Sequence, residues 1–197
     1  MPRQTPFVIF IDTAEQLPFT FQGIYGDADT NYDLWDVRTS RVCLGRHPNS
    51  LGDYSITDGI GRCHVERKSM ADAHTTLLGF NDGHRDRFLV ELGNLSQIES
   101  AAVVVECSFE EFICYAPEYN YKPAGVNAKN LFRSVLALQQ DTRVPWIFAG
   151  DRASAEQVTF HWLKRWWDKW RVAERQRLKE LERQRAGEVI DSFVKPF

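Results

Sequence analysis

The sequence predicts an α/β protein, a mixed central β-sheet flanked by helices and followed by a long C-terminal helix, on three observations. Short apolar runs at 7–11, 101–105 and 144–148 have the length and the polar or proline borders of buried strands. Stretches with apolar residues at helical spacing alternate with them in the second half of the chain. The tail from about Ser154 keeps that spacing to Trp170 and then turns charged.

Each element follows from local chemistry. Phe7 to Ile11, bounded by Pro6 and Asp12, is a buried strand with a carboxylate at its exit. A second strand is expected at Phe19 to Phe21, and 23–31 is expected to be a loop. Leu34 to Cys43 alternates as a strand and runs into the turn-like GRHPNS. Asp53 to Thr57 and Cys63 to Lys68 form two strands joined by TDGIG, where Asp58-Gly59 is a hairpin signal. Ser69 caps a helix with Asp72 at the N3 position, where a carboxylate meets free amides. Phe88, Leu92 and Leu95 put a stripe on a helix over 85–95.

Ala101 to Val105 reads as a central strand covered on both faces. Ser108 with Glu111 is a capping box that opens a helix to about Tyr115, and the loop APEYNYKPAG follows. Asn127 to Gln140 is a helix, Val144 to Phe148 a strand, and the tail a long helix.

Composition narrows the function. At 197 residues the chain forms one domain, here placed at 1–170, with a basic helical extension at 171–197. No apolar run approaches the roughly 20 residues that span a bilayer, and the N-terminus lacks a signal-peptide cleavage site, so no membrane partner and an intracellular protein are expected. Cys43, Cys63, Cys107 and Cys114 fit no tight zinc cluster and read as reduced, structural cysteines. The net charge of -3 is unlike that of a duplex-coating protein. That average hides a split: Lys164 to Arg185 holds nine Lys or Arg against four Asp or Glu, a balance of +5, leaving -8 on the rest. The basic stretch is either a nucleic-acid contact or a salt-laced solvated helix.

The most informative stretch is GDYSITDGIGRCHVERKSMAD. Period two puts Glu66 and Lys68 on one face of their strand with Arg67 pointing away, and the hairpin brings Asp53 to the same end. Phosphodiester hydrolysis needs charge neutralised at the phosphate, an activated water and help for the leaving oxygen. Asp53 and Glu66 are oxygen ligands suited to Mg²⁺. Lys68 is placed to orient the water or touch phosphate, and Asp12 and Glu15 are placed to complete the ligand set. By spacing alone, surface salt bridges explain Glu-x-Lys better than a site does.

These residues carry a resemblance. Gly52-Asp53, then Glu66-Arg67-Lys68 and Asp72, resembles the hallmark of the XPF/MUS81 (ERCC4-type) nuclease domain family, within the restriction-endonuclease-like superfamily. Ile11-Asp12-Thr13-Ala14-Glu15 resembles the family's first-strand motif, and Arg85-Asp86-Arg87-Phe88 with Glu91 its Arg-Asp-Arg-Phe segment. The similarity covers roughly residues 6 to 165.

The resemblance implies a restriction-endonuclease-like core and an Mg²⁺- or Mn²⁺-dependent DNA endonuclease, structure-selective for flap, fork or junction DNA. Its catalytic residues would be Asp53, Glu66, Lys68, Asp12 and Glu15, with metal on Asp53, Glu66 and Asp12. Arg67, Arg85, Arg87 and Asp72 would contact substrate. The alternative is an inactive DNA-binding or partner-binding module of the same fold. Ala14 departs from the family's usual Arg, and fewer than 50 residues follow Phe148, with no helix-hairpin-helix module. Substrate choice therefore falls to this domain, its last helix, a second copy of the chain or a targeting protein. The compartment expected is the cytoplasm, nucleoid-associated or in a phage-infected cell, or the nucleus in a eukaryote.

Trp162, Trp166, Trp167 and Trp170 are expected to pack on the sheet, with a homodimer seam and base stacking as the other readings. His64 reads as a packed histidine and His84 as a phosphate contact. His47, His74 and His161 carry no distinctive spacing. Tyr115, Tyr119, Tyr121 and Lys122 form either a DNA-touching or a plain surface loop.

Overall fold

A computed structural model describes residues 2–25, 34–46, 52–78, 84–114 and 128–193. The loop with Tyr115, Tyr119, Tyr121 and Lys122, the far parts of the 23–31 and GRHPNS segments, and the side chain of His84 lie outside the described residues. Seven strands, β1 (Arg3–Asp12), β2 (Ile24–Tyr25), β3 (Leu34–Val42), β4 (Tyr54–Ile56), β5 (Cys63–Lys68), β6 (Ser100–Val105) and β7 (Trp146–Phe148), form one sheet. Their order is β2-β3-β1-β4-β5-β6-β7. β4 runs antiparallel to β1 and β5, and β2 to β3, while β1 with β3 and β5 through β7 pair in parallel. The sheet is mixed, as the sequence predicts.

The helices are α1 (Met70–Leu78), α2 (His84–Leu95), α3 (Phe109–Cys114), α4 (Ala128–Thr142) and α5 (Arg152–Phe193). They divide between the two faces. Phe160, Leu163, Trp166 and Trp167 of α5 pack on Phe7, Ile9, Tyr54, Ile56 and Val65. Leu77 of α1, Phe88 and Leu92 of α2, Phe112 of α3 and Leu131 and Val135 of α4 pack on Val103, Val105 and Trp146. Val104 faces α5 while its neighbours face the other helices, so β6 is covered on both sides. Trp166 and Trp167 are 6% exposed, so these rings belong to the core and are unavailable for base stacking. All four cysteines are free, Cys63 and Cys107 buried, Cys43 and Cys114 exposed. No helix among the described residues is long and apolar enough to cross a membrane.

Two expectations about elements are corrected. Phe19 to Phe21 is not a strand, because side chains take its backbone donors: the Phe19 N–H goes to Tyr54 Oη at 2.9 Å and the Phe21 N–H to the Glu156 carboxylate. Both rings pack around Tyr54. The edge strand lies instead at β2, inside the predicted loop, where Ile24 is fully buried and pairs with Trp35. β1 also begins earlier than predicted and continues through Pro6 with a register shift between Gln4 and Val8. Proline has no amide to give the ladder, which fits an irregularity there.

Candidate functional site

The site forms where β4, β5 and β6 end beside α1 and α2. Gly52 has φ +109, and a Cβ there would sit 3.2 Å from the Val65 carbonyl oxygen. Only glycine lets the chain pass this close to β5 and turn into β4. Asp53 then faces β5: its Oδ2 accepts the Arg67 N–H at 2.8 Å, and its carbonyl accepts the Asp12 N–H at 2.8 Å. The ends of β1, β4 and β5 are thereby tied together.

On β5 the pleat separates the side chains as the sequence predicts. Glu66 and Lys68 point toward α1 and α2, buried at 5% and 8% exposure, with Lys68 Nζ 2.7 Å from Glu66 Oε1. Lys68 also lies 3.6 Å from Asp72 Oδ2 and 4.6 Å from the centre of the Phe88 ring. The Asp72 N–H donates to Ser69 Oγ at 3.2 Å, the predicted helix cap. Burial pushes the Lys68 ammonium down, but Glu66 and then Asp72 carry it above the ordinary lysine range. Asp53 is raised well above the usual carboxylate range by burial, then by the charges of Glu66 and Glu15.

Arg67 points to the other face. Its guanidinium is bidentate to Glu106, Nε to Oε1 at 2.7 Å and Nη2 to Oε2 at 2.9 Å, lies 3.4 Å from Glu15 Oε1 and covers the Phe19 ring. Arg152 at the start of α5 joins the same Glu106 and donates to the carbonyls of Leu17 and Pro18. This network fastens the segment after β1 to the sheet.

The remaining predicted residues are placed as follows. Asp12 Oδ1 accepts the Ala14 N–H at 2.8 Å, and its Oδ2 the Leu44 and Gly45 amides at 3.2 Å. Glu15 Oε1 accepts the Leu17 N–H at 2.6 Å. Arg85 is exposed on α2 and donates to the Leu77 carbonyl at 3.4 Å, and Arg87 is exposed on the same helix. Asp53, Glu66, Lys68 and Asp72 thus converge, Asp12 and Glu15 serve backbone amides beside them, and Arg85 and Arg87 stand on the adjoining surface. Buried His64 accepts the Gly61 N–H on Nε2 at 2.9 Å, as expected of a packed histidine.

Glu91, matched above only as part of a motif, and Glu106 are two further carboxylates in these contacts. Glu91 is pushed up to about 9 by burial, then by the Glu66 charge and a hydrogen bond to Glu66. Its signal in the sequence is a carboxylate three residues beyond Phe88, on the apolar face of α2. Among the described residues, no group of three or more His, Cys, Asp or Glu is arranged to hold a metal ion. What converges is a pair of hard oxygen donors, Asp53 and Glu66, with the Lys68 ammonium already beside them. Two carboxylate oxygens are the donor type that Mg²⁺ or Mn²⁺ takes.

The mixed sheet with helices on both faces and a long C-terminal helix is a restriction-endonuclease-like architecture. A solved structure, XPF from Aeropyrum pernix, is similar over 80% of this chain with a TM-score of 0.53 and 17% sequence identity. XPF from Aeropyrum pernix in complex with DNA aligns with 82% of the chain at a TM-score of 0.49 and 17% identity. The alignments cover 60% and 65% of those chains, so the likeness is one of fold over part of their length. No family model and no curated protein matches the chain.

Proposed function

We propose that this chain acts on DNA at the rim where Asp53, Glu66 and Lys68 meet. The observation that carries this reading is their convergence at the strand ends of a nuclease-like sheet. The rim is rich in carboxylates, so a DNA phosphate approaches it favourably only with a hard cation between them. Asp53 and Glu66 would hold Mg²⁺ or Mn²⁺, an arrangement in keeping with Mg²⁺ sites built from one or two carboxylates, water and phosphate. Asp12 would assist through water while keeping its amide contacts. When bound, the cation supplies charge neutralisation at the phosphate and polarises a water. Lys68 would donate to the phosphate as Glu66 turns toward the cation, and Arg85 and Arg87 would meet neighbouring phosphates.

Two readings share this surface. The described side chains favour binding DNA without cutting it: no three-residue metal cluster forms among them, Lys68 is closed on Glu66, and Asp12 and Glu15 serve backbone amides. Hydrolysis is the second reading, favoured by the joint presence of Asp53, Glu66 and Lys68, which places two carboxylates and an ammonium around one position. It would be selective for flap, fork or junction DNA and leave 5'-phosphate and 3'-hydroxyl ends. A second copy of the chain or a targeting protein would add selectivity, in the compartment that holds the DNA.

Incubating end-labelled single-stranded, duplex, flap, fork and four-way junction DNA with Mg²⁺ or Mn²⁺ separates the readings. Cutting abolished by Asp53→Asn and Lys68→Ala establishes hydrolysis. Binding of the same DNAs without cutting, weakened by Asp53→Asn in the presence of Mg²⁺, establishes the first reading, and neither binding nor cutting overturns both.

A further inference from the structure

The second half of α5 has no part in the site. Arg152, at its start, sits with Glu106 near the rim, whereas Trp166 lies under Arg62, just before β5 begins. The helix therefore crosses the sheet away from the rim and continues past it, and residues 175–185 are exposed throughout.

Its outward face is cationic. At 100° per residue, Arg165 and Arg183 fall on one line of the helix opposite the buried Leu163 and Trp167, with Lys169, Arg175 and Lys179 within about 80° of it. All five are exposed. Arg165, Lys169, Arg175 and Lys179 make no ion pair among the described residues, and Arg183 meets only Glu180, at 4.0 Å and highly exposed, a pair worth little. The acidic residues on this side are Asp168, which pairs with Lys164, and Glu180, each about 60° from that line, with Glu182 at its margin. An open groove lined by Arg165 and Lys169 with His161, Lys164 and Asp168 begins the stripe.

The face offers a protein partner little: its one large apolar residue is Val172, and the aromatic and aliphatic anchors that carry protein interfaces are absent from it. Spaced cations over about 27 Å of helix instead match a phosphate backbone, covering roughly eight base pairs. We infer that the outward face of α5, through Arg165, Lys169, Arg175, Lys179 and Arg183, is a second DNA surface that grips duplex phosphates without reading sequence. This rests on DNA being the ligand in the function proposed above, but uses none of the rim residues. The rim positions the strand, and the helix supplies salt-sensitive grip that an acidic rim lacks.

The test uses the full chain, a fluorescein-labelled 30-base-pair duplex, and anisotropy titrations from about 50 to 200 mM salt without divalent ions. Wild type is compared with the quadruple variant K169Q/R175Q/K179Q/R183Q, a charge-retaining R175K/R183K variant and the rim variant Asp53→Asn. The slope of log affinity against log salt should flatten by about 0.9 for each phosphate that is no longer neutralised, with affinity falling at least about tenfold in the quadruple variant. The charge-retaining and rim variants should keep the wild-type slope, and all substituted arginines and lysines are exposed, so thermal unfolding should be unchanged. A quadruple variant with wild-type affinity and slope overturns the inference and leaves the rim reading standing. Loss of duplex binding in the quadruple variant, with Asp53→Asn and Lys68→Ala unaltered on every DNA with and without Mg²⁺, upholds the inference and overturns the rim reading. A wild type that binds no duplex, but whose mass by light scattering falls in the quadruple variant, makes the stripe a protein surface and overturns the inference.

Discussion

Lys68 Nζ lies 2.7 Å from Glu66 Oε1, two residues back on the same strand and on the same face of the sheet. It is the ammonium that offsets a cluster of carboxyl groups from Asp53, Glu66, Asp72 and Glu91. Removing one partner of a buried pair leaves the other charge uncompensated, at a cost of about 3 kcal/mol. Lys68→Ala should therefore lower stability by about that much at pH 7, measured as the shift in urea midpoint. Because the folded Lys68 is held above its unfolded range, its contribution is complete below the ordinary lysine pKa and fades only in strong alkali. A variant as stable as wild type would contradict this account of the pair.

Glu91 gives the opposite sign. A carboxyl raised from about 4.5 to about 9 keeps its proton in the folded state while the unfolded chain releases it, so its contribution is full below about pH 4.5 and declines as pH rises toward about 9. Glu91→Gln should remove that decline and raise stability at pH 8 by at least about 1.4 kcal/mol, the worth of one pKa unit. Urea midpoints at pH 5 and pH 8 check it, and the variant should show the smaller difference between the two.

Gly52→Ala should be destabilising by about 1 to 3 kcal/mol, since φ +109 strains any residue with a Cβ and the Val65 carbonyl stands at 3.2 Å. It should also displace Asp53. Under the proposed function Mg²⁺ would stabilise wild type, by about 1.4 kcal/mol at a tenfold excess over its dissociation constant, and that gain should then be lost. Thermal unfolding with and without Mg²⁺ reads both effects.

Arg67→Ala should cost about 1 to 3 kcal/mol, because Glu106 loses a part-buried bidentate partner and keeps only Arg152, while Glu15 loses its ion pair. Arg67→Lys should recover only part of it, since an ammonium cannot span both Glu106 oxygens. Full recovery in the urea midpoint would show that charge alone suffices.

Much of this arrangement is legible in the sequence, for physical reasons that differ by residue. The alternation in β5 places Glu66 and Lys68 opposite Arg67 because a strand has only two faces. The Ser69 and Ser108 caps are readable because their donors and acceptors are local. Glu91 is not readable as a partner of Glu66, because they meet only when α2 packs on β5. Phe19 to Phe21 misleads because aromatic residues suit a strand, yet Tyr54 and Glu156, distant in sequence, claim its amides. Nor does spacing reveal that Asp12 holds the Leu44 and Gly45 amides, which depends on the parallel pairing of β1 with β3.

In the function proposed above, the rim meets DNA through a cation held by Asp53 and Glu66. The most direct test of that function is the affinity of a non-cleaved fork DNA at fixed ionic strength, with and without Mg²⁺, for wild type and Asp53→Asn. Mg²⁺ should tighten wild-type binding and leave Asp53→Asn unchanged. Equal effects of Mg²⁺ on both proteins, or none on either, would contradict it.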